Sequence, residues 1–200
     1  MGITLKNIVE ILNIDAPVFY IDKENMKKEN YIFFKCISDT EVKDILKGKH
    51  DINKQYDNSD IGIYFPQMDI HNYFKLEINR NPVAIEVHIN NILEKIEISV
   101  NEYPLMWVIY CILHEYGHYL HFQKSNLTSF DYSNRHKEER IKDDKIVNYI
   151  KGIPDDMPFK LLIAKDYHKN IYMKYSDEKY ADEYAMEHIV EAYHKVKQHI

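Results

Sequence analysis

His114-Glu115-Tyr116-Gly117-His118 is the most informative run of five residues in this chain. On an α-helix, positions i and i+4 lie on one face, a turn apart. His114 and His118 then aim two imidazole nitrogens at one point, an arrangement that suits Zn²⁺. Glu115 lies about 100° round the helix from His114. It is free to approach a water polarised by the ion and to act as general base. The motif ends a segment, residues 102–122, that reads as one long helix. Asn101 can cap it, and Pro104 sits in the first turn, where its missing N–H costs little. The first half is apolar all round, the mark of a buried helix.

A catalytic zinc usually takes three protein ligands and keeps one position open. His121 and Lys124 stand where the HExxHxxGxxH arrangement needs Gly and His, so that arrangement is rejected. The other route is a Glu on a second helix, with an Asp one turn later to hold a ligating His. Two such pairs lie downstream, Glu139/Asp143 and Glu178/Asp182. The first sits in residues 137–145, charged on every face and poorly suited to pack on a buried helix. Glu178 and Asp182 share a face with Ala185, Met186 and Ile189, and Ala181 is small enough for close helix approach. Glu178 is therefore assigned as third ligand, with Glu183 as fallback. Asp182 is expected to accept the non-ligating N–H of a zinc histidine. An oxyanion needs a further donor beside the metal. Tyr175 and His168 are the candidates carried forward, with Tyr167 and Tyr172 close by.

Outward from the motif, residues 4–14 carry apolar side chains at Leu5, Ile8, Ile11 and Leu12, the spacing of an amphipathic helix. Residues 40–46 read as a short helix capped by Thr40, and 47–60 as a polar loop. The period then changes to two in Phe74-Leu76-Ile78, in Val83-Ile85-Val87-Ile89 and in Ile96-Ile98-Val100. Asn79-Arg80-Asn81-Pro82 and Asn90-Asn91 separate these runs, so they are expected to form an antiparallel meander. Residues 94–100 offer an edge for a peptide substrate. Residues 125–145 read as a loop and a solvated helix; 159–172 and 177–200 read as helices. The expected architecture is α+β: a small antiparallel or mixed sheet packed on the buried HExxH helix, a C-terminal helical part, and one domain over residues 1–200.

The pair His-Glu-x-Gly-His and Glu-x-x-Ala-Asp-x-Tyr-Ala (His114 to His118, Glu178 to Ala185) resembles the gluzincin metallopeptidases. More narrowly it resembles the ImmA/IrrE-like group of small cytoplasmic proteins. The resemblance implies a zincin-like fold and a zinc-dependent metalloendopeptidase. Members of that group are often encoded by phages or mobile elements and act on transcriptional repressors. Phe122 stands where the group often carries a further His, and the interval from His118 to Glu178 is long. Two alternatives use the same ligands: a zinc-binding interaction module with little or no proteolysis, and a peptidase toxin aimed at a foreign host protein.

Composition bounds the remaining possibilities. The chain has 200 residues, 45% hydrophobic and 29% charged, enough for a real core without disulfides. Two cysteines, Cys36 and Cys111, exclude a cysteine zinc site and suggest a reducing, cytoplasmic compartment. Net charge is −6, with arginine only at 80, 135 and 140, so nucleic acid is not an expected partner. Met1 to Lys6 has no basic n-region leading into an apolar h-region, and the apolar run at 103–113 is too short to span a bilayer. The expected partner is a protein or peptide substrate, met by a monomer.

Overall fold

The computed structural model describes residues 2–21, 31–36, 61–141, 143–154 and 157–200. Helix α1 (Leu5–Leu12) forms where Leu5, Ile8 and Val9 make a buried stripe. Thr4 and Asn7 close a capping box at its start, and left-handed Asn13 ends it. Strands β1 (Val18–Ile21), β2 (Phe33–Cys36) and β3 (Ile61–Pro66) form a mixed sheet in the order β1-β3-β2. β1 runs parallel to β3 in the register Val18↔Ile63, and β2 runs antiparallel in the register Phe33↔Tyr64. The molecule is thus α+β, mostly helical with a small mixed sheet. Residues 40–46 and 47–60 lie outside the described residues.

The meander expected in the middle third is absent. Phe74, Leu76 and Ile78 lie on helix α2 (Ile70–Arg80), capped by the Asp69 carboxylate, which accepts from the His71 and Asn72 backbone N–H groups. Val83 to Ile89 lie on helix α3 (Pro82–Leu93). Residues 96–99 have no regular structure and 100–102 form a 3-10 turn, so the edge expected at 94–100 is not a strand. The turn signal at Asn79 to Pro82 marks a real corner. Asn81 ends α2 and precedes α3, and Pro82 opens α3, where no N–H is needed. What it joins is two helices.

Helix α4 (Tyr103–Ser125) carries the HExxH run, and its first half is buried from Leu105 to Tyr110, as its unbroken apolarity requires. Val100–Glu102 leads into it; Glu102, not Asn101, occupies the cap position. Helices α5 (Ser129–Ile141), α6 (Asp144–Gly152) and α7 (Pro158–Asn170) follow, then α8 (Ser176–Lys197). α8 packs along α4, and the core lies between these two helices, α1, α2, α3 and the sheet. Their closeness rests on Gly117 facing Ala181. A Cβ on Gly117 would meet the Ala181 Cα at 2.7 Å and its carbonyl oxygen at 3.1 Å. Only a bare glycine admits that approach.

Candidate metal centre

His114 and His118 lie one turn apart on α4, and Glu178 lies in the first turn of α8, where the helix dipole favours a carboxylate. The three converge. His114 Nε2 is 3.1 Å from His118 Nε2 and 3.3 Å from Glu178 Oε2, and His118 Nε2 is 3.5 Å from the same oxygen. Ligands held at zinc distances of about 2.0–2.1 Å in a tetrahedron stand about 3.3–3.4 Å from one another. The observed triangle has the dimensions of one tetrahedral face. His118 and Glu178 are buried, so these donors already lack water, and a shared cation would satisfy all three.

Glu178 is held as a one-oxygen donor. Its Oε1 accepts from Arg140 at 2.6 Å and from the Tyr172 hydroxyl at 2.7 Å, which leaves Oε2 facing the imidazoles. Burial alone raises its carboxyl pKa, but His118 and His114 overcome that and hold it well below the usual range. His114 is oriented through Tyr110. The Tyr110 hydroxyl donates to Asp182 Oδ1 at 2.9 Å and stands 3.5 Å from His114 Nδ1. With its proton committed to Asp182, the hydroxyl can only accept from the ring, which fixes the proton on Nδ1 and leaves Nε2 as donor to a metal. Asp182 thus reaches the histidine through a tyrosine, not by the direct bond expected from the sequence. His88 Nδ1 also lies 3.1 Å from Asp182 Oδ1.

Glu115 reaches the sheet. Its Oε2 accepts the Phe34 backbone N–H at 2.6 Å, on the edge of β2 that does not pair with β3. Burial raises its carboxyl pKa, a shift offset in part by His118 and His114. Two cavities of about 340 and 660 Å³ meet here. Both are lined by Tyr31, Phe33, His114, Glu115, Tyr172 and Glu178, so open space runs on either side of the triad.

The donor candidates separate. His168 lines the smaller cavity, with Nε2 3.1 Å from His88 Nε2. Burial and then His88 lower its pKa to about 4, so it is neutral at physiological pH. Tyr175 instead gives its hydroxyl to Asp143. Glu183 is exposed and pairs with Lys179 at 3.8 Å. His121 bonds the Tyr132 hydroxyl at 2.8 Å, as a helix histidine commonly does. Among known proteins, no family model, curated protein or solved structure matches this chain.

Arg140 is the residue that sequence reasoning missed. Residues 137–145 carry charge on every face, yet Arg140, exposed along its length, lays its guanidinium on Asp177 and Glu178, and the neighbouring His136 is buried against the start of α8. The available signal was His136, Glu139 and Arg140 at i, i+3 and i+4, one face of α5. Tyr110 carried the same kind of signal, one turn before His114.

Proposed function

We propose that this chain is a zinc-dependent metalloendopeptidase of zincin-like fold, similar to the ImmA/IrrE-like group. The observation that supports it best is the triangle of His114 Nε2, His118 Nε2 and Glu178 Oε2, with edges of 3.1, 3.3 and 3.5 Å. A zinc ion held there supplies Lewis acidity and brings the ionisation of water close to neutral pH. With zinc bound, Glu115 would take the proton from the attacking water and pass it to the leaving amine, work for which its buried, upward-shifted carboxyl is suited. His168, neutral and lining the cleft, is the side chain available to support the developing oxyanion, since the Tyr172 hydroxyl already donates to Glu178 Oε1. Tyr175, held by Asp143, drops out of that role.

The peptide is read by β2. This strand is four residues long, sits at the edge of the sheet among the described residues, and directs the Phe34 N–H to Glu115. An extended substrate adds to such an edge through main-chain hydrogen bonds, and Glu115 must release Phe34 as the substrate arrives. β2 replaces residues 94–100 in that role. A regulatory protein such as a repressor, presenting an exposed extended segment, fits this mode of binding.

The test is Glu115→Gln with a peptide library read by mass spectrometry. Wild type is expected to cleave, and the variant to lose at least 10²-fold in rate while keeping its zinc. His118→Ala and Glu178→Ala should both lose the metal. A chain that binds zinc, loses it in His118→Ala and Glu178→Ala, and yet cleaves nothing is instead a zinc-binding interaction module.

A further inference from the structure

The first turn of α8 carries two acidic residues in succession, Asp177 and Glu178, both buried. Arg140 donates to one oxygen of each, to Asp177 Oδ2 at 2.6 Å and to Glu178 Oε1 at 2.6 Å. The guanidinium therefore leaves each carboxylate with one oxygen free, and the two free oxygens face different histidines. Glu178 Oε2 faces His114 and His118. Asp177 Oδ1 faces His136 Nδ1 at 3.4 Å, and Glu139 Oε2 lies 3.4 Å from the same nitrogen.

Part of this second cluster is unsatisfied, although Glu139 Oε2 accepts from the Ser176 hydroxyl at 3.5 Å. His136 is 6% exposed and Asp177 4%, yet among the described residues both ring nitrogens of His136 and the Oδ1 of Asp177 have no hydrogen-bond partner. Buried polar groups are almost always paired, so orphans gathered in one place call for an explanation. At 3.4 Å the contacts of His136 Nδ1 are longer than the roughly 2.7–3.2 Å of an N–H···O hydrogen bond. Donors that share a tetrahedral ion point at a common centre, about 35° away from one another, and so approach to about 3.3 Å without hydrogen bonding. The three donors of the His114 centre stand apart by similar distances. The Tyr132 ring, 4.3 Å from that of His136, packs against the imidazole.

We propose that His136, Glu139 and Asp177 form a second divalent-cation site, which pins α5 to the start of α8. Arg140 shares its one positive charge between Asp177 and Glu178, so Glu139 and Asp177 keep an excess of negative charge that a divalent ion would balance. One nitrogen and two oxygens make a harder donor set than two nitrogens and one oxygen, so Mn²⁺ is accepted here more readily than at the His114 centre. The ion holds Asp177 and α5 in place, and with them the Arg140 that fixes Glu178. Its role is to position a ligand of the neighbouring site, and its residues are separate from those of the proposed catalytic centre.

The test is metal stoichiometry on the full chain, dialysed against excess Zn²⁺ and read by mass spectrometry of the metal. Wild type should hold two equivalents. Glu139→Gln alters the half-exposed member of the set, should keep the wild-type circular dichroism, and should hold one; His136→Asn should hold one as well. His118→Ala should retain the equivalent that Glu139→Gln loses, and the double variant should hold none. Saturation of wild type at one equivalent that Glu139→Gln and His136→Asn both retain overturns the second site and leaves the cluster an ion pair. Persistence of the second equivalent in both Glu139→Gln and His136→Asn overturns it too. A count that falls in Glu139→Gln but not in His118→Ala supports the second site while refuting the His114 centre.

Discussion

Tyr110 shows how one buried hydroxyl decides the chemistry of a neighbouring ring. Its own proton goes to Asp182, and burial together with Asp182 pushes its pKa well above the ordinary tyrosine value, so it stays a neutral relay. Outer partners that orient a metal-binding histidine are commonly worth 10–100-fold in metal affinity. Tyr110→Phe keeps the ring, which stacks on Trp107 at 5.3 Å, and removes only the hydroxyl. We expect it to weaken zinc binding by about 10–100-fold in competition with a chelator, at little cost to folding. Unchanged affinity would show that packing alone orients His114. The spacing of His114 and His118 was legible in the sequence because it is local. Arg140 and Tyr110 were not, because their roles arise only when α5 and α8 close on α4.

Helix packing decides whether these residues meet at all. In an unconstrained helix, Gly→Ala stabilises by about 1 kcal/mol. At Gly117 the new methyl group would press on the backbone of Ala181, which has no flexible end to yield. Overpacking of this kind costs about 1–3 kcal/mol, so packing outweighs propensity. We expect Gly117→Ala to destabilise the chain in urea and to abolish zinc binding, because it separates α4 from the helix that carries Glu178. A more stable variant that still binds zinc would mean the helices can part freely.

Elements were misread where polar side chains are buried. On α3 the buried positions are Ile85, Val87, His88, Ile89 and Ile92. Scored as polar, His88 leaves an alternation at 83, 85, 87 and 89. Counted with the core, it completes the helical stripe 85, 88, 89, 92. Glu77 hides the period of α2 in the same way, buried beside Ile70 and Tyr73 and bonded by Arg80 at 3.1 Å. The true strands escaped for the opposite reason. β1 and β2 have four residues each, too few to show a period, and β3 is buried on both faces from Gly62 to Pro66 and shows no alternation. α1 and α4 are legible because no buried polar residue interrupts the apolar stripe of their first turns, and α8 because Ala181, Ala185, Ile189, Ala192 and Val196 continue the stripe past buried Asp177 and Glu178.

At the scale of the whole molecule, the beginning of α4 is tied to the end of α8 by one carboxylate. Glu102 accepts from Lys197 Nζ at 2.7 Å, from the Tyr193 hydroxyl and from the Ser99 N–H at 3.2 Å. Lys197 first, then Tyr193 and Ser99, lower its pKa to about 2. A depressed carboxyl adds stability above its unfolded pKa, and loses it as pH falls through the folded value. Glu102→Gln should therefore lower the melting temperature at pH 7. Its difference from wild type should shrink between about pH 4.5 and pH 2, measured as paired thermal melts. A difference independent of pH would assign the effect to packing.

The proposed metal couples the same two helices from the middle. α4 supplies two donors and α8 the third, so an ion bound by all three binds only the folded chain. Such a ligand stabilises by RT ln(1 + [L]/Kd), about 2.7 kcal/mol at a hundredfold excess over Kd. For a domain of this size each kcal/mol moves Tm by about 2–4 °C. Chelation should then lower Tm by about 5–11 °C relative to that zinc level, reversibly on adding Zn²⁺. His118→Ala should lack that shift, keeping only what the His136 cluster contributes, and His118→Ala with Glu139→Gln should show none. If chelation leaves the wild-type melt unmoved, the triangle on α4 and α8 is a buried ion pair, and neither hydrolysis nor metal-dependent binding follows from it.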